Sequence, residues 1–138
     1  MKLYVGVKAL VEKEGKILLL REAKYDEGTN EGKWDVPGGR ILPEESLLDG
    51  LAREVAEESG LTVTPGPVLS VTETFPIIKD EPSHIVRIHY LATWESGEVV
   101  LSGDHDSYEW VSESTFAGRE CMSGVAELVN NYFANQNK

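Results

Sequence analysis

Apolar residues alternate with others from the start of the chain. Leu3, Val5, Val7, Ala9 and Val11 fall on one side of an extended segment, the period-two signature of a strand. Glu14-Gly15 supplies a turn, and the apolar run Ile17-Leu18-Leu19-Leu20 predicts a buried second strand, so the two form a hairpin. Residues 23–33 are polar and contain glycine, which predicts a loop leading to a short strand at Trp34-Asp35-Val36. Pro37-Gly38-Gly39 breaks that strand. From about Ser46 to Ser59 the period changes: Leu48, Leu51, Ala52 and Val55 lie at helical spacing. Gly60 is placed to end this helix in a left-handed cap. Longer strands are expected near 61–75 and 84–95, the second setting Val86, Ile88, Tyr90, Ala92 and Trp94 against Ile85, Arg87, His89, Leu91 and Thr93. Beyond the turn at Ser96-Gly97, short strands are expected at Val99–Leu101 and Ser107–Val111, then a helix over about 124–135 with Ser123 as N-cap. Strands outnumber helices and one acidic helix lies in the middle, which predicts an α+β layered domain.

Length and composition narrow the setting. The 138 residues fit one domain, 1–138. The shares of 41% hydrophobic and 27% charged residues are those of an ordinary globular protein. No apolar run approaches the ~20 residues of a membrane helix. The opening Met1-Lys2-Leu3-Tyr4 lacks the layout of a signal peptide, so a cytoplasmic protein without a membrane partner is expected. Cys121 is the only cysteine, which excludes an internal disulfide and a cysteine-rich zinc site, and no activating motif surrounds it. A net charge of −11 argues against a broad grip on nucleic acid. A small phosphate substrate would also meet like charge, unless a bound divalent metal reversed the field locally.

The central helix carries the candidate chemistry. Glu54, Glu57 and Glu58 stand at i, i+3 and i+4 and share one face. Like charges at these spacings destabilise a helix by ~0.2–0.5 kcal/mol per pair, and near the C-terminal end they also oppose the macrodipole. A hard cation such as Mg²⁺ or Mn²⁺, which takes oxygen ligands and bridges carboxylates to phosphates, would reverse that penalty. The alternative for an acidic triplet by itself is a solvated charged face.

Its surroundings favour the metal. Gly39, five residues, Glu45, seven residues, then Arg53-Glu54-Val55-Ala56-Glu57-Glu58-Ser59-Gly60-Leu61 matches the signature of the Nudix hydrolases at every position. The hairpin, the Trp34-Asp35-Val36-Pro37-Gly38-Gly39 entry and the late Tyr108-Glu109-Trp110-Val111 segment also resemble that family. The resemblance implies an α/β/α sandwich around a mixed sheet, with the box at 39–61 forming loop, helix and loop. It also implies metal-dependent cleavage of a phosphoanhydride bond in a nucleoside diphosphate linked to another group, a triphosphate or nucleotide sugar being examples.

Residue roles follow from the resemblance. The residues matching Glu54, Glu57 and Glu58 hold Mg²⁺ or Mn²⁺, and the one matching Glu54 acts as base on the attacking water in some relatives. Arg53 pairs with Glu45 or orients a metal-binding carboxylate. Gly38 and Gly39 either bring the backbone close to metal and phosphate, with the Gly39 carbonyl as a further ligand, or simply form a tight turn. Glu109 stands where relatives place an additional metal-binding glutamate, or is a solvated strand residue; other relatives carry the acid two residues earlier, where this chain has Ser107. Arg21 takes either a substrate phosphate or a surface ion pair. Arg87 and His89 share a strand face from which they reach the substrate or serve structure, and His105 receives no role. Pro76 stands near a proline of ADP-ribose-cleaving relatives, although its neighbours do not match theirs. The implied partner is a small-molecule nucleotide, and homodimers are common in the family. Two other classes compete: a non-hydrolytic nucleotide sensor on the same fold, which often lacks box carboxylates, and isopentenyl diphosphate isomerase, which needs a cysteine in the site, far from where Cys121 falls.

Overall fold

The computed structural model describes residues 1–23 and 30–136, so positions 24–29 of the loop expected over 23–33 lie outside the described residues. Strands β1 (Lys2–Lys13) and β2 (Lys16–Glu22) form the expected hairpin. Glu14 and Gly15 both take positive φ (52° and 79°), as a two-residue hairpin turn that matches strand twist requires. The short β3 (Trp34–Asp35) and β4 (Gly38–Arg40) follow. Then come helix α1 (Leu47–Ser59), the long strand β5 (Thr62–Thr74), β6 (Ile77–Ile78) and β7 (Glu81–Ser96). Strand β8 (His105–Val111), the short α2 (Glu113–Phe116) and α3 (Val125–Gln136) complete the chain.

The sheet is mixed, in the order β3-β2-β1-β7-β5, with β1 and β7 parallel and the remaining pairs antiparallel. Both faces are covered. Val7, Ala9, Val11, Leu18 and Leu20 face Leu51 and Val55 of α1. The alternate residues Leu10, Ile17 and Leu19 face Val125, Val129 and Phe133 of α3. This gives the three-layered α/β/α arrangement within the α+β class, and it explains the unbroken apolar run at 17–20: a strand between two helical layers has no solvent side.

One departure from regular pairing positions the site. β1 and β2 pair only beside their turn, Glu12 with Ile17 and Lys13 with Lys16, and then diverge. The vacated edge of β1 is taken by β4, which pairs Gly6 with Arg40, Val7 with Gly39 and Lys8 with Gly38. Pro37-Gly38-Gly39 therefore does not simply end a strand. Proline contributes only its carbonyl, which accepts from Ala9 N–H at 2.8 Å, and Gly38 turns the chain at φ 145° into the new pairing.

Two other expectations are corrected. Val99–Leu101 forms no strand; Val99 and Leu101 pack onto the α1-side core while Val100 N–H bonds the Ser59 carbonyl, so packing over the end of α1 accounts for their apolar character. α3 is preceded directly by Gly124 rather than Ser123, and the Gly124 carbonyl accepts from Leu128 N–H at 3.2 Å.

Candidate functional site

Helix α1 is fixed at both ends. Ser46 Oγ accepts from Asp49 N–H at 3.1 Å, and Gly60, at φ 74°, donates its N–H to the Ala56 carbonyl at 2.9 Å. With Leu51 and Val55 turned into the core, Glu54, Glu57 and Glu58 are left on the sides and outer face.

Arg53 organises the front of this acidic group. Its guanidinium makes a two-point pair with Glu45, Nε to Oε2 at 2.7 Å and Nη2 to Oε1 at 2.9 Å. It also reaches Glu54 at 2.9 Å, Glu57 at 3.2 Å and the Arg40 carbonyl at 3.2 Å. Arg53 thus ties the preceding loop to the helix through Glu45 and holds two carboxylates of the cluster. The Arg53 hydrogen bonds, with one from Leu42 N–H, hold the Glu45 carboxyl down to about 2.

Glu58 lies at the back. Its Oε1 accepts from Gly38 N–H at 2.8 Å. Burial pushes its carboxyl up to about 7, against the attraction of Lys8 and the Gly38 hydrogen bond. A methyl group at position 39 would sit 2.5 Å from Glu54 Oε2, so the glycine backbone is pressed directly against that carboxylate. The tight turn is present, and it sets the Gly39 backbone against the Glu54 carboxylate.

Behind Gly38, where β1 and β2 separate, lies a polar pocket lined by Lys8, Glu22, Asp35, Gly38, Glu58 and His105. Lys8 Nζ pairs with Asp35 Oδ2 at 3.0 Å, with both side chains almost out of solvent. Desolvation raises the Glu22 carboxyl to about 7, helped by the charge of Asp35. His105 is buried, with Nε2 3.5 Å from Glu22 Oε2 and Nδ1 without a hydrogen-bond partner among the described residues; burial, first of all, favours its neutral form. On the far side of Lys8 and Asp35 a larger cleft of about 440 Å³ opens, lined among others by Gly6, Gly39, Arg40, Arg87 and His89.

The remaining candidates divide. Arg87 reaches the cleft, as do His89 and Pro76. His89 is buried, its Nδ1 lies 3.3 Å from Ser70 Oγ, and burial lowers its pKa. Arg21 is not in the cleft: its Nε pairs with Asp106 Oδ1 at 2.8 Å on the surface, the ion-pair alternative. Glu109 is not brought to the glutamates either. It stands opposite Leu19, whose side chain faces the α3 layer, and it accepts from Arg119 Nη2 at 2.6 Å. Ser107 pairs with Arg21 and offers no carboxylate. Cys121 packs on the α3-side core, its thiol pushed up by burial.

Lys8, Asp35, Glu22 and Arg40 were not among the sequence candidates. The available signal was charge in the wrong place: Lys8 interrupts the apolar run of β1, and Asp35 stands between Trp34 and Val36.

The oxygen set suits a hard divalent cation. Among the described residues no three acidic, histidine or cysteine side chains are already gathered at metal-binding distance. Instead the Arg53 guanidinium bridges Glu54 and Glu57, so these carboxylates already converge on a cation. The Gly39 backbone packs on the Glu54 carboxylate.

The chain is 38% identical over 104 residues to the 8-oxo-dGDP phosphatase NUDT18 of Homo sapiens, covering 75% of this chain but only 29% of that protein. It is 29% identical over 113 residues to the CTP pyrophosphohydrolase of Escherichia coli (strain K12), covering 81% and 78% of the two chains. Among solved structures, the MutT protein from Methanosarcina mazei Go1 superposes with a TM-score of 0.79 at 34% identity, over 99% of this chain and 96% of that one. The NUDIX domain family is matched over residues 2–126, within which every residue of the box and the cleft-lining Lys8, Asp35 and Arg87 fall, and the chain belongs to that family.

Proposed function

We propose that this chain is a divalent-metal-dependent hydrolase that cleaves a phosphoanhydride bond in a nucleoside diphosphate derivative, with water attacking phosphorus. The observation that carries the reading is the junction at Gly38-Gly39. There the α1 glutamates meet the edge of a cleft containing the cations Lys8, Arg40 and Arg87, in a chain whose net charge is −11.

Glu54, Glu57 and Glu58, with the Gly39 carbonyl, would hold Mg²⁺ or Mn²⁺, which when bound neutralises phosphate charge and makes hydroxide available near neutral pH. The chain's own part is positional. Arg53 holds Glu54 and Glu57 toward one another and anchors the loop through Glu45. Gly38 N–H orients Glu58. The buried Lys8–Asp35 pair forms the wall between glutamates and cleft. Such positioning and charge neutralisation supply most of the catalysis of phosphoryl transfer, because the protein has little covalent chemistry to perform. The substrate is a small-molecule nucleotide, and the phosphatase and pyrophosphohydrolase names of the relatives support that class. A cytoplasmic setting belongs to the same reading.

The test is a screen of purified protein against nucleoside triphosphates, nucleotide sugars and dinucleoside polyphosphates with product identification. Hydrolysis is expected with Mg²⁺ or Mn²⁺ and none after chelation with EDTA. Glu58→Gln is expected to lower kcat by at least ~10²-fold with the far-UV spectrum unchanged, since a ligand is lost while the helix is kept. Turnover that survives chelation, or a folded variant with unaltered kcat, would sink the proposal.

A further inference from the structure

Two of the chain's five arginines have no carboxylate partner among the described residues, and both open into the same cleft. Arg21, Arg53 and Arg119 are paired with Asp106, with the box glutamates and with Glu109. Arg40 and Arg87 are not, although the chain carries 24 acidic residues against 13 basic ones. Arg40 lies over the Tyr4 ring at 4.3 Å, and Arg87 Nη1 donates to the neutral Thr74 Oγ1 at 2.7 Å.

Strand register places the two on either side of a gap. Gly6, on the central β1, pairs with Arg40 of β4 on one edge and with Arg87 of β7 on the other. Directly paired residues share a face, and strands lie about 4.8 Å apart, so the two arginine Cα atoms are on the order of 10 Å from each other. Gly6 leaves the space between them without a side chain. A methyl group there would meet Arg87 Cγ and the Gly39 carbonyl oxygen at 3.6 Å each, which puts this notch next to the backbone that touches Glu54. Two like charges astride an open notch are unfavourable without a counter-ion. Burial above all lowers the pKa of Arg87; the charge of Asp35 opposes this, and the nearness of Arg40 adds a smaller push in the same direction as burial. A phosphate group, which accepts several guanidinium hydrogen bonds at once, is matched to such a pair.

We infer that Arg40 and Arg87, astride Gly6, form an anion subsite for a phosphate of the substrate's polyphosphate chain, beside the phosphates held at the α1 glutamates. This subsite rests on the hydrolase reading for its substrate, but not for its test. Inorganic tripolyphosphate titrated calorimetrically in metal-free buffer probes the arginines alone, and net repulsion from the rest of the chain keeps the background low.

The wild-type chain is expected to bind tripolyphosphate. Arg87→Gln should weaken that binding at least ~10-fold and Arg40→Gln by ~3-fold or more, as lost charge-assisted hydrogen bonds would. Gly6→Ala fills the notch at ordinary contact distances and should weaken it with both arginines in place. In steady-state hydrolysis, Arg87→Gln should raise KM at least ~10-fold while kcat stays within ~3-fold, the pattern of lost uniform binding. Wild-type protein that binds no tripolyphosphate, or folded Arg40→Gln and Arg87→Gln variants with wild-type affinity, would overturn the subsite. Arginine-dependent binding by a chain that hydrolyses no nucleotide would uphold the subsite and remove the hydrolase reading. Hydrolysis with a KM indifferent to both arginines would do the reverse.

Discussion

The adjacent glycines of the box entry fail in different ways, and this separates folding from function at single-residue resolution. A Cβ at Gly38 would stand 2.1 Å from the Val7 carbonyl oxygen and 2.6 Å from Lys8 Cα, on a backbone at φ 145°. Both obstacles are main chain and cannot swing aside. The nearest atoms to a Cβ at Gly39 belong to the Glu54 carboxylate, the far end of a side chain that can rotate away. Gly38→Ala is therefore expected to cost more than ~2 kcal/mol, through strain and displacement of β4 from β1. Gly39→Ala should stay within ~1 kcal/mol of wild type yet lose at least ~10-fold in kcat, because the displaced carboxylate is one of those proposed to hold the metal. Urea denaturation and steady-state kinetics on both variants decide the matter. Equal losses of stability would show that the contact with Glu54 is not what position 39 contributes.

Helix α1 concentrates three unfavourable glutamates in its last two turns, so its stability comes from its ends and its buried face. Ser46→Ala removes the N-cap hydrogen bond and should cost about 1 kcal/mol. Leu51→Ala opens the core between α1 and the sheet and should cost ~2–5 kcal/mol. Denaturant midpoints measure both, and a Leu51 variant as stable as the Ser46 one would contradict the assignment of Leu51 to the core. This element was also the most legible in the sequence. Its period, its serine and glycine caps and its carboxylate spacing all lie within fifteen consecutive residues, 46–60, and local physics is enough to read them. Lys8, Asp35 and Glu22 escaped that reading because long-range pairing brings them together: the contact of Lys8 with Asp35 spans 27 positions and depends on β1 parting from β2. Glu109 misled for the same reason. Position along β8 placed it near a family acid, whereas the register with Leu19 turned it to the α3 layer. Val99–Leu101 shows the converse, an apolar segment buried by packing without joining a ladder.

For the molecule as a whole, the balance of displaced carboxyls sets how stability responds to pH. Glu22 and Glu58 sit at about 7 in the folded chain, raised chiefly by burial from a value near 4.5. Between these pH values the folded state holds protons that the unfolded chain has released, so this share of stability is complete below about 4.5 and is lost as pH rises through 7. Glu45 acts oppositely: lowered to about 2 by Arg53, it stabilises above 4.5 and that contribution disappears as pH falls through 2. The buried histidines His89 and His105, lowered from 6.5, add a second opposing slope, since acid must charge them in the unfolded chain first. A single profile mixes these terms, but a difference isolates one. Glu22 lies behind Gly38 and outside the box, and Glu22→Gln keeps its shape while removing its titration. In metal-free buffer, the variant should gain stability relative to wild type on going from pH 5 to pH 8, because only the wild type must then bury an ionised carboxylate beside Asp35. Urea unfolding of both proteins at the two pH values measures the gap. A gap that stays constant, or narrows toward pH 8, would mean that Glu22 titrates like a solvated carboxyl and that the pocket between the parted strands admits water freely.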